Sequence, residues 1–114
     1  MRGSRKSLIA AIAVVTGLSV TAGPALADRI DGDWCSADGK HVSIDGGRIM
    51  IPSGAEISGQ YDRHHFRYVG PAGDPEAGQT IEMQVLSDEE MWLQRTIGGE
   101  KRPVETWRRC QVTS

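Results

Sequence analysis

His41-Val42-Ser43-Ile44-Asp45-Gly46-Gly47-Arg48-Ile49-Met50-Ile51 sets an apolar side chain at every second position on both sides of a glycine pair. In an extended chain, successive side chains point to opposite faces, so Val42 and Ile44 share one face of the first run and Ile49 and Ile51 one face of the second. Gly-Gly between two such runs suits the positive φ of a tight turn, and the stretch reads as a β-hairpin.

The same grammar extends outward in both directions. Upstream, Asp31 to Ser36 runs into the turn Asp38-Gly39. Downstream, Pro52-Ser53-Gly54 breaks the chain before Ala55–Tyr61 and His64–Val69, which pair around Asp62-Arg63. The segment 70–78 is rich in Gly and Pro, offers almost nothing to bury and reads as a loop. Thr80 to Leu86 is the clearest strand, with Ile81, Met83 and Val85 on one face. Ser87 to Glu90 matches a Ser-x-x-Glu helix start, but the apolar stretch behind it is too short for a helix, so a hairpin turn into Met91–Thr96 is expected. A loop from Ile97 to Pro103 leads to Val104–Val112. No helical period occurs, and seven to eight short strands with regular turn signals predict an all-β, antiparallel up-and-down barrel or a sandwich.

Two cysteines, Cys35 and Cys110, lie near the two ends of this pattern. An even pair so far apart reads as a disulfide in an oxidising compartment, and free or metal-bound thiols would lack the Cys-x-x-Cys spacing of a zinc site. Bridged cysteines hold their Cα atoms within about 7 Å, so the first and last strands become neighbours. A meander whose ends meet is a closed barrel.

The N-terminus carries Arg2, Arg5 and Lys6, then an apolar run from Leu8 to Val20, then Ala25-Leu26-Ala27. This order is that of a cleavable signal peptide over residues 1–27, and the run, about 13 residues, is short of the ~20 that span a bilayer. An amphipathic helix would need a polar stripe that the run lacks. A single domain of residues 28–114 is therefore expected in the periplasm or secreted. Beyond Ala27 stand ten basic and fifteen acidic residues, a net charge near −5. That balance opposes binding to nucleic acid. The same balance leaves an acidic partner unexpected; no further long apolar stretch follows, so no membrane span is expected, and the domain reads as a monomer.

Gly32-x-Trp34 on the first strand, the meander, and Arg108 or Arg109 near the last strand resemble the lipocalin-like, or calycin, barrels. The wider pattern of Trp-Cys, Asp-Gly, hairpins and Trp107-Arg108-Arg109-Cys110 is similar to small exported proteins of Gram-negative bacteria. The resemblance implies that Trp34 packs over the barrel floor against Arg108 or Arg109 in a structural cation–π contact. It does not imply a lipocalin cavity. Strands of five or six residues span only about 17–20 Å, and an eight-stranded interior is about filled by its own side chains. A large internal lipophile is disfavoured.

Candidate chemistry is sparse. A metal reading takes His41 with His64 or His65 and Asp62. Adjacent strand residues face opposite ways, so His64 and His65 share an ion only at a turn, and an exposed hairpin end is the simpler reading. No Gly-x-Ser-x-Gly elbow exists, and no serine has a recognisable histidine and acid partner. No catalytic set and no cofactor are expected. The aromatics divide. Trp34 reads as core; Trp92 lies opposite Met91 and Leu93 in facing; Trp107 alternates with Glu105 and Arg109, which suggests a partly exposed ring. Trp92, Trp107, Tyr61, Tyr68 and Arg109 form the candidate interaction surface, unless the aromatics plug the barrel ends. The functional expectation is a non-catalytic binding or interaction module for a protein or glycan partner. The alternatives are a metal-binding protein and a hydrolase-inhibitor-like barrel, the latter without an inhibitor motif.

Overall fold

A computed structural model describes residues 29–111. The expected signal peptide, residues 1–27, lies outside the described residues. Ten strands form one antiparallel sheet: β1 (Gly32–Ser36), β2 (His41–Asp45), β3 (Arg48–Met50), β4 (Glu56–Ser58), β5 (Gln60–Asp62), β6 (His65–Val69), β7 (Thr80–Val85), β8 (Glu90–Ile97), β9 (Glu100–Lys101) and β10 (Glu105–Arg109). Their order is β4-β3-β2-β1-β10-β8-β7-β6-β5, with β9 paired to β8 alone. Apart from that branch, each strand lies beside its neighbour in sequence, and β10 returns to β1 with Trp34 opposite Arg109 and Ser36 opposite Trp107.

The two ends of this order, β4 and β5, are separated in the chain by Gly59 alone. The sheet therefore curls back to its own start, and the result is a nearly closed barrel. A methyl at Gly59 would lie 2.4 Å from a Phe66 ring carbon and 2.6 Å from the Arg67 carbonyl oxygen, so only glycine lets the chain cross against β6 there. The strand count exceeds the expected seven to eight for two reasons. Gly59 divides one extended run into β4 and β5, and the supposed loop Ile97–Pro103 instead turns at Gly98-Gly99 to form the short β8–β9 ladder. Ser87–Glu90 is non-helical, as expected.

The Cys35–Cys110 disulfide crosses the β1–β10 seam with Cα atoms 5.0 Å apart. Such a bridge is consistent with an oxidising compartment. The inner face of the barrel is solid: Trp34, Val42, Ile49, Phe66, Met83 and Trp107 are among the fully buried side chains. Tyr61, Phe66 and Tyr68 meet edge to face, with centroids 6.4 Å apart in each pair. Among the described residues, no helix is long and apolar enough to cross a membrane.

Candidate binding site at one end of the barrel

The two barrel ends are built differently. At one end the chain entering β1 folds across the opening and buries Ile30 completely. The Ile30 N–H donates to the Arg63 carbonyl, and Trp34 Nε1 donates to the Ile30 carbonyl at 2.8 Å. Arg109 fastens this plug. Its guanidinium lies 4.0 Å from the Trp34 ring centroid and donates to the carbonyls of Asp31, Arg29 and Asp88. Of the two arginines that the sequence offers, Arg109 makes the contact, while Arg108 pairs with Glu90 on the outer face. Gly32 is needed here: its φ is +116°, and a methyl on it would stand 2.8 Å from Arg109 Nη1.

The opposite end carries charge instead. Arg95, on the inner face of β8 and 9 % exposed, donates through Nε to Glu105 at 2.8 Å and through Nη1 to Glu76 at 2.7 Å. Each carboxylate has a second partner. The Tyr68 hydroxyl donates to Glu76 at 2.7 Å, and Trp107 Nε1 donates to Glu105 at 3.0 Å. Gln79 accepts a longer bond from Nη1. Burial works against the Arg95 charge, but Glu76 and Glu105 outweigh it and hold the guanidinium protonated. Burial, then the Glu76 carboxylate, pushes the Tyr68 hydroxyl above its usual 10, so it stays a donor.

Two buried side-chain atoms among the described residues are left over, Arg29 Nε and one atom of this network. Arg95 Nη2 is buried and has no hydrogen-bond partner. Arg95 also lines an open cleft of about 450 Å³, together with Lys40, Pro52, Asp74, Gln79 and Ile97. Glu76 reaches this site from the 70–78 loop, whose Gly- and Pro-rich composition offers almost nothing to bury. It is nevertheless 7 % exposed, because Gly70 allows the loop to close: a methyl on Gly70 would stand 1.8 Å from the Glu76 carbonyl oxygen.

The expected interaction surface needs correction. Trp107 is fully buried and Tyr68 is 3 % exposed. Trp107 alternates with Glu105 and Arg109 because all three face inward, where each charge finds an internal partner. Tyr61 is half-buried, and its hydroxyl donates to Asp31 at 2.5 Å. Trp92 stands on the outer face while Met91 and Leu93 are buried. These five residues therefore form no common surface.

The histidines are not brought together either. His64 lies in the turn between β5 and β6, where its N–H donates to Asp62, and His65 begins β6. His41, on β2, bonds Asp33 at 3.0 Å in an open polar groove on the outer face. Ser43 also bonds this carboxylate. Among the described residues, no three His, Cys, Asp or Glu side chains gather as metal ligands would.

The fold and site thus define the molecule as a small disulfide-bridged antiparallel barrel, plugged at one end and bearing a buried charge network at the other. Compared with protein-family models, with curated proteins and with solved structures, the chain matches none.

Proposed function

We propose that the chain is a small exported non-catalytic binding module whose ligand sits in the cleft at the Arg95 end of the barrel. The observation that carries this reading is a buried arginine, ion-paired to Glu76 and Glu105, that lines an open cleft. A buried ion network is often no more stabilising than apolar residues of the same volume. A role in recognition accounts for placing one at this end of the barrel. The cleft falls within the roughly 300–1,000 Å³ of pockets that hold small molecules. Export is supported by the disulfide and by the signal-like N-terminus. The aromatics do not carry the binding role, because Trp107 and Tyr68 are core.

A fragment screen by two-dimensional NMR tests the reading. Hits should shift the amides of Gln79, Ile97 and Lys40. Hits that gather instead on the outer groove around Asp33 and Arg48, or no hits at millimolar concentration, would refute it.

A further inference from the structure

Resting on that reading, we infer that Arg95 and Tyr68 form a receptor for a ligand carboxylate, which the chain's own Glu76 occupies until a ligand displaces it. The two donors project from the barrel wall, Tyr68 on β6 and Arg95 on β8, with β7 between them. Together they hold both oxygens of one carboxylate. Arg95 Nη1 donates to Glu76 Oε2 at 2.7 Å, and the Tyr68 hydroxyl donates to Oε1 at 2.7 Å. One donor to each oxygen, with one of them charged, is how a carboxylate is strongly recognised. Glu105 holds the guanidinium from another side through Nε, so the clamp keeps a partner when Glu76 leaves.

The occupant is held differently from the clamp. Glu76 is carried by the 70–78 loop, none of whose residues belongs to the buried apolar core. The loop is closed on itself: the Gly70 N–H donates to the Gln79 carbonyl, the Gly78 N–H to Gly70, and the Ala77 N–H to Asp74. Past Gly70, Glu76 is its one buried residue. Among the described residues, its ties to the barrel are made by side chains: Glu76 to the clamp, Gln79 at its end to Arg95, and Asp74 to Ser53 on the turn after β3. A compact loop with joined ends and no buried apolar contact opens as a unit, before the sheet does. It is a lid. When it lifts, Glu76 goes with it and the clamp faces the cleft. A ligand carboxylate then replaces a carboxylate, so the exchange leaves the charge of the site unchanged even in a net-negative domain. Pro52 and Ile97 on the cleft wall suit an apolar group behind it, which makes the ligand class a small carboxylic acid with an apolar tail.

The test uses the full chain, isotope-labelled, with benzoate and its neutral counterpart benzamide. Benzoate should shift the Arg95 guanidinium, the Glu76 carboxyl carbon and the amides of the loop saturably, with benzamide at least about tenfold weaker. A closed lid lowers apparent affinity by the fraction of molecules open. Glu76→Gln supplies a neutral, weaker competitor and should therefore tighten benzoate at least about tenfold. Should that variant unfold, Ser53→Ala on the exposed turn removes only the tie to Asp74 and should tighten benzoate about two- to threefold. Arg95 and Glu76 signals unmoved by millimolar benzoate, or equal affinity in the wild type and the folded variant, would overturn the inference. Benzamide binding as tightly as benzoate would overturn it too, while leaving the cleft as a binding site. Failure of the cleft itself reads differently, because the fragment hits would then lie on the outer groove or be absent.

Discussion

Arg109 shows how much a single side chain carries in this barrel. It stacks on Trp34, donates to three backbone carbonyls and needs the bare backbone of Gly32 to fit. Gly32→Ala combines an unfavourable φ with a displaced guanidinium and is expected to cost about 2 kcal/mol or more, read from the urea midpoint. A wild-type midpoint would mean that the contact is idle. Asp33 acts more weakly. A hydrogen bond from His41, against a smaller effect of burial and with help from Ser43, holds its carboxyl below the usual 3.8. A carboxyl whose folded pKa lies under its unfolded one adds stability above about pH 4 and loses it as the pH falls through the folded value. Asp33→Asn should therefore lower stability near pH 7 but not near pH 2. With the carboxylate 59 % exposed, the difference should be no more than about 0.5 kcal/mol. Equal deficits at both pH values in urea titrations would break the link.

At the scale of elements, the critical joint is the crossing from β4 to β5. Gly59→Ala drives a methyl into Phe66 and the β6 backbone, so a loss of about 1–3 kcal/mol is expected, with β4 and β5 amides losing protection from hydrogen exchange before the β7–β8 ladder does. Uniform loss of protection, or none, would contradict this. Strands whose inner face is purely apolar were legible from alternation alone: β2, β3, β7 and the start of β8. β10 was not. Glu105, Trp107 and Arg109 share its inner face, and charges on a face normally mark it as outward. Their partners Arg95, Asp31 and Arg29 come from other parts of the chain, and no local pattern reveals them. Glu76 was hidden for the same reason, inside a loop that looked unable to bury anything. The charged inner face of β8 at Arg95, two residues beyond Leu93, was the one local sign of the site.

For the whole molecule, the decisive inference is closure. Cysteines near both ends of a meander implied that the first and last strands meet, and β1 pairs with β10 across the 5.0 Å Cα separation of the disulfide. The loop closed by the bridge, 75 residues in sequence separation, constrains the unfolded chain by roughly 4–5 kcal/mol in the chain-entropy model. What the sequence could not convey is the asymmetry of the two ends, because Ile30 as plug and Arg95 as hub depend on the finished curvature. Closure itself is open to one direct measurement. The Cys110 N–H donates to the Asp33 carbonyl. Antiparallel pairs alternate, so Trp34 and Arg109 form the close, non-hydrogen-bonded pair next to it. A nuclear Overhauser spectrum of the oxidised protein should show a strong Hα–Hα cross-peak between Trp34 and Arg109. Its absence, with β1 amides exchanging freely, would mean an open sheet and contradict the account.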